Sequence, residues 1–131
     1  MDIPYNLVAG DMFKSETIPQ ADAYILKEVI HNWNDEKCIE ILKSIRDANK
    51  IEMKKVITVF IFESVILSNG KSDLEAHILD LEMLLVLGSK ERTLDEHINI
   101  LKKSGYELKR VYTTASCTSI IEAVTTTENY D

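Results

Sequence analysis

Three ionisable residues sit where apolar sequence gives way to polar sequence, and together they could handle a proton. His31 follows the run ADAYILKEVI at 21–30, Glu63 follows VFIF at 59–62, and Glu91 lies in SKERT between two stretches with helical periodicity. An unperturbed histidine titrates near pH 6.5, so its neutral ring accepts a proton at physiological pH; a base placed on a reacting group contributes on the order of a hundred- to ten-thousandfold in rate. Such a base needs a partner that fixes its tautomer and stabilises the imidazolium, and Glu63 and Glu91 are the candidates. Each also has a plainer reading. His31 could be a loop histidine capping backbone groups, Glu63 a solvated charge at a strand end, and Glu91 a solvated acid near a helix start. Glu63 is singled out because a carboxylate directly after FIF is costly without a partner or a cleft.

Other residues are less pointed. Lys27 interrupts an otherwise apolar strand, where its stem could snorkel to the edge. Trp33 could stack on a planar ligand, although a lone Trp is usually packing, and His77 and His97 read as surface residues of helices. The sequence has no Gly-rich phosphate loop, no metal-ligand spacing and no Ser or Cys nucleophile with an evident base.

Composition excludes several classes. The 131 residues are 45% apolar and 28% charged, enough for one packed domain. A formal net charge of -7 with scattered Lys and Arg argues against an extended nucleic-acid interface. No segment approaches the roughly eighteen continuous apolar residues of a membrane span, and MDIPYNLVAGD lacks the basic start and apolar core of a signal peptide, so a cytoplasmic location is expected. Cys38 and Cys117 show no disulfide framework and read as reduced, packed thiols.

The elements that must position these residues alternate. YNLV at 5–8 reads as the end of a strand, AGD as a turn, and 21–30 as a buried strand that emerges at HNW. Asn34 is an N-cap with Asp35 and Glu36 in the first turn, and Ile39, Leu42 and Ile45 carry a helix to about Asn49. KVITVFIF at 55–62 is apolar at nearly every position, as a strand covered on both faces must be. A loop at 68–73 precedes a helix from about Leu74 to Leu87, ended by Gly88. TLDE at 93–96 is a capping box opening a third helix that closes at Gly105, and the rest forms two antiparallel strands with a turn near Ser116 to Ser119. This order predicts a mostly parallel α/β sheet with an antiparallel terminal strand, whose active groups gather beyond the carboxyl ends of the strands. Asp11, His31 and Glu63 should therefore converge.

GDMF at 10–13, ADAYILKEVIHNWNDEKCIEILK at 21–43, FESVIL at 62–67 and SKERT at 89–93 together resemble the plant and animal small-molecule O-methyltransferases, typified by the caffeate, flavonoid and acetylserotonin enzymes. The resemblance runs along nearly the whole chain in the family's order. It implies the C-terminal half of a Rossmann-like methyltransferase catalytic domain over 1–131, without the family's N-terminal dimerisation domain and Gly-rich cofactor segment. It implies S-adenosyl-L-methionine as cofactor, a small aromatic hydroxyl as acceptor, no metal, no nucleic acid or membrane partner, and a homodimeric full-length parent.

By the same resemblance His31 is the general base, flanked by Glu63 and Glu91; Asp11, Met12 and Lys27 belong to the cofactor site; and Met83, Leu84 and Val86 line the acceptor pocket. Asn32 replaces the family's usual Asp after the histidine, Ser89 stands where Gly is frequent, and Glu16 and Thr17 read as an insertion. Residues 44–58 lack the usual Pro-Gly-Gly turn. The alternative to an enzyme is a truncated, non-catalytic paralogue acting as an interaction module.

Overall fold

In the computed structural model, residues 3–50, 56–66 and 91–126 are described. Among these residues five strands and two α-helices follow one another as β1 (Ala23–Lys27), α1 (Asp35–Ala48), β2 (Thr58–Ile66), β3 (Arg92–Thr93), α2 (Leu94–Lys103), β4 (Tyr106–Thr113) and β5 (Thr118–Thr125). The sheet order is β1-β2-β5-β4, with β3 pairing the far end of β2. β1 runs parallel to β2, from Ala23 opposite Thr58 to Lys27 opposite Phe62. β5 runs antiparallel to both β2 and β4, so β1, β2 and β4 share one direction and the last described strand is inserted between two of them. The mostly parallel α/β sheet with an antiparallel terminal strand is thus as expected.

The core explains which side chains point where. Ile57, just ahead of β2, and the alternate β2 residues Val59, Ile61 and Val65 are buried with Cys38, Ile41, Leu42 and Ile45 of α1, Ile100 and Leu101 of α2, and Ile121 and Ala123 of β5. Both described helices therefore serve one sheet face. On the opposite face Ile25 is 67% exposed, so β1 is covered on one side by the described residues, where a fully buried strand was expected. The helix expected at 74–87 and the loop at 68–73 lie outside the described residues.

Local signals hold the ends of these elements. Asn34 accepts the Lys37 amide at 2.9 Å and starts α1. Thr93 and Glu96 form a complete capping box at the start of α2, and Gly105, at φ 86, turns the chain into β4. The Arg46 guanidinium ties the end of α1 to the Gly105 and Thr126 carbonyls.

Several expectations are corrected. Residues 5–8 form no strand; Leu7 is 91% exposed, and no strand among the described residues pairs with this segment. The first strand ends at Lys27, because Glu28 adopts φ 57 and the chain then winds into a 3₁₀ turn at Ile30–Asn32. β2 extends to Ile66, where local polarity suggested a stop at 62, because β5 pairs it through Ser64 and β3 pairs Val65 and Ile66. Glu63 accordingly lies within a strand. His97 is buried with the core side of α2, not on its surface, and Cys117 is exposed in the hairpin turn whereas Cys38 is packed. No helix among the described residues is long and apolar enough to cross a membrane.

Candidate active site

The period-two alternation of β2 places Glu63 on the same face as Val59, Ile61 and Val65, so its carboxylate is buried, at 2% exposure. β1 stops pairing at Phe62, and the left-handed Glu28 swings the chain over that end of β2. The 3₁₀ turn that follows delivers His31 onto Glu63. Glu63 Oε2 lies 2.6 Å from His31 Nδ1, and Glu63 Oε1 accepts the His31 backbone amide at 3.3 Å.

A carboxylate can only accept, so Nδ1 carries the ring proton and Nε2 presents a lone pair. Burial raises the Glu63 carboxyl above the usual carboxylate range, and the hydrogen bonds and charge of His31 draw it part of the way back. Glu91, just ahead of β3, is also buried, and ligand-type atoms of His31, Glu63 and Glu91 all lie within 4.8 Å of one another. Imidazole with two carboxylates is a donor set that divalent cations also accept; sequence spacing gave no sign of it because the three residues come from separate elements.

The turn beneath His31 is anchored by groups that sequence reasoning passed over. Arg92 donates to the carbonyls of Ile30 at 3.1 Å and Trp33 at 2.6 Å, and to Asp35 Oδ1 at 2.9 Å. The Cys38 Sγ faces the same two carbonyls, at 3.2 and 3.6 Å, and can donate its one proton to either; burial pushes the thiol up to about 11, which keeps it a neutral donor. Arg92 stands in SKERT beside Glu91, but nothing in that spacing points to the carbonyls it reaches.

The GDMF turn docks beside this assembly through an aromatic contact. The Phe13 and Trp33 rings meet edge to face at 5.0 Å, and the Lys37 ammonium lies 5.2 Å from the Phe13 ring centroid. Trp33 therefore packs. Asp11 Oδ1 accepts the Phe13 amide at 2.9 Å. The Thr17 hydroxyl accepts the Asp11 amide and faces the Asp11 and Lys14 carbonyls, each at 2.8 Å. Thr17, one of the two residues that read as an insertion, thus braces the loop.

Asp11, Met12 and Lys27 are exposed, and among the described residues neither Asp11 nor Lys27 forms an ion pair. Met83, Leu84 and Val86 lie outside the described residues. Of the candidate residues, then, His31, Glu63 and Glu91 are brought together, while Asp11 and Met12 sit on an adjoining loop and Lys27 at the end of β1.

The sequence profile of the O-methyltransferase domain matches residues 2–107. The chain is 40% identical over 117 residues to 3'-hydroxy-N-methyl-(S)-coclaurine 4'-O-methyltransferase 2 of Papaver somniferum, covering 88% of this chain and 32% of that protein. It is likewise 40% identical over 116 residues to phenazine O-methyltransferase PhzM of Lysobacter antibioticus, covering 88% and 32%. The chain spans about a third of the length of these curated relatives. Among solved structures, the SAH-bound form of CalO1, a methyltransferase in calicheamicin biosynthesis, superposes with TM-score 0.78 at 28% identity, covering 92% of this chain and 34% of that one. Human N-acetylserotonin methyltransferase in complex with SAM gives 0.73 at 28% identity, covering 87% and 32%. On its sheet order, its site geometry and these matches, the chain belongs to the O-methyltransferase domain family.

Proposed function

We propose that this chain carries the acid-base part of a small-molecule O-methyltransferase catalytic domain, with His31 as general base toward a hydroxyl of a small aromatic acceptor. The observation that carries the reading is the 2.6 Å contact between His31 Nδ1 and Glu63, which engages one ring nitrogen with the carboxylate and leaves Nε2 as the nitrogen with the lone pair. S-adenosyl-L-methionine supplies, when bound, a methyl on a sulfonium that departs as a neutral thioether as the acceptor oxygen takes the methyl.

The chain's own residues handle the proton. His31 Nε2 takes it from the acceptor hydroxyl as the carbon–oxygen bond forms, and Glu63 stabilises the resulting imidazolium through Nδ1. Glu91 adds a second buried carboxyl beside the pair. Asp11, Met12 and Lys27 fit a cofactor with an exocyclic amine and a carboxylate. An exposed acceptor, an apolar thioether and a cation without an ion-pair partner among the described residues stand around the His31 turn and the end of β1. Met83, Leu84 and Val86 are proposed on resemblance alone as acceptor-pocket wall. The phenazine and coclaurine relatives support a planar aromatic acceptor. A homodimeric, cytoplasmic parent belongs to the same reading.

The test is His31→Ala in the protein that carries this chain. Turnover of a phenolic acceptor should fall by roughly a hundredfold or more while S-adenosylhomocysteine affinity by calorimetry stays within about twofold. Retained turnover removes His31 from the chemistry.

A further inference from the structure

We propose that Arg92 is a positioning residue for the base: its guanidinium latches the 3₁₀ turn that bears His31 and so fixes the imidazole against Glu63. The proposal rests on the reading of His31 as the base for its catalytic consequence, but not for its structural content.

The latch is built from three directed hydrogen bonds. Arg92 is 3% exposed, and its Nη1 and Nη2 reach the carbonyls of Ile30 and Trp33, which bracket His31 and Asn32. Its Nε reaches Asp35 in the first turn of α1. The Ile30 carbonyl already closes the 3₁₀ turn by accepting the Trp33 amide at 3.2 Å, so Arg92 reinforces the bond that defines the turn.

The other end of the latch is tied to the sheet. Arg92 stands in β3 opposite Val65, two residues beyond Glu63 on β2. One backbone register therefore sets Arg92, which holds the His31 turn, and Glu63, which holds the His31 ring. The residue before Arg92 is Glu91, so the second carboxylate lies immediately ahead of the same short strand.

Arginine is required for this by shape as well as by charge. The acceptors lie on three residues in different directions, and the planar fork meets all of them at once, whereas a lysine ammonium is a single point at the end of a flexible stem. An ordinary charge partner would leave the turn free to shift. Displacement of a base by about 1 Å costs on the order of a hundredfold in rate.

Arg92→Lys, Arg92→Ala and Asp35→Ala are the informative variants, read first by the ring nitrogen shifts of His31 in the ¹⁵N-labelled protein. The unaltered protein should show one fixed tautomer with the proton on Nδ1. Arg92→Lys should show averaging between tautomers, and Asp35→Ala, at the half-exposed edge of the latch, a smaller move in the same direction. In turnover, Arg92→Lys should lower kcat by about tenfold or more with KM for the acceptor nearly unchanged, and guanidinium in solution should partly rescue Arg92→Ala. Asp35→Ala decides the matter if both Arg92 variants fail to fold. Ring nitrogen shifts identical to those of the unaltered protein in every folded variant overturn the latch. If His31→Ala keeps its turnover while the Arg92 variants still loosen the tautomer, the base assignment fails and the latch stands.

Discussion

His31 and Glu63 meet twice: the carboxylate of Glu63 receives the imidazole Nδ1 at 2.6 Å through one oxygen and the backbone amide of His31 at 3.3 Å through the other. One buried side chain thus sets both the position of the turn and the tautomer of the ring. The two functions separate in Glu63→Gln. The amide still has an oxygen for one N–H, but it carries no charge to stabilise an imidazolium. Turnover should fall by roughly a hundredfold or more, with the unfolding midpoint changed far less and S-adenosylhomocysteine affinity preserved. An unimpaired Glu63→Gln enzyme would remove the carboxylate's charge from the mechanism.

Residues close in sequence were the legible ones. The Asn34 cap, the Thr93–Glu96 box and the turn at Gly105 act over three or four residues, so the letters suffice. The extension of β2 to Ile66 was not legible, because β5 and β3 supply the pairing from more than twenty residues away. With the strand ended early, Glu63 read as a strand-end charge, and the alternation that buries it was missed. Arg92 and Thr17 act on carbonyls of remote or looping backbone, which no spacing rule reports. His97 was recoverable: it precedes the buried Ile100, Leu101 and Ser104 at helical spacing, which puts it on the core stripe of α2.

That burial has a consequence in acid. Burial first, then the neighbouring Arg92 charge, lowers His97 to about 4, against the opposing pull of Glu96 and Asp35, and its Nε2 has no hydrogen-bond partner among the described residues. The unfolded chain binds this proton below about pH 6.5 and the folded chain only below about pH 4. Stability is therefore full above pH 6.5, is lost as pH falls across that window, and changes no further on this account below it. At 1.36 kcal/mol per pKa unit the loss is roughly 3 kcal/mol. Urea unfolding between pH 4 and 7 should show the slope, and His97→Gln should flatten it; an equal slope in the variant assigns the effect to other groups.

The GDMF turn gives a prediction about binding without stability. A Cβ on Gly10 would stand 2.8 Å from the Thr17 carbonyl oxygen and 3.1 Å from its hydroxyl oxygen. Backbone cannot yield there as a flexible side chain would, so Gly10→Ala should displace the Asp11 loop. Because this loop is largely exposed, the unfolding midpoint should move little. S-adenosylhomocysteine affinity should fall by about tenfold, on the order of 1.4 kcal/mol, and Thr17→Val should weaken it in the same direction. Unchanged affinity in Gly10→Ala would separate the loop from the cofactor site.

The two thiols should react on different clocks. Cys117 is exposed in the hairpin turn, while Cys38 is buried beneath the His31 turn with its pKa pushed up to about 11. A thiol reacts as its thiolate, and at pH 8 Cys38 is almost wholly protonated as well as out of reach. One equivalent of a thiol reagent should therefore be consumed quickly and the second only as the protein opens, at a rate that rises with urea. Because Cys38 faces the same carbonyls as Arg92, Arg92→Lys should also hasten the second reaction in the absence of denaturant by loosening the shared turn. Peptide mapping of the alkylated protein identifies which thiol reacted. Rapid modification of Cys38 in the native, unaltered protein would contradict the packing that holds the base in place.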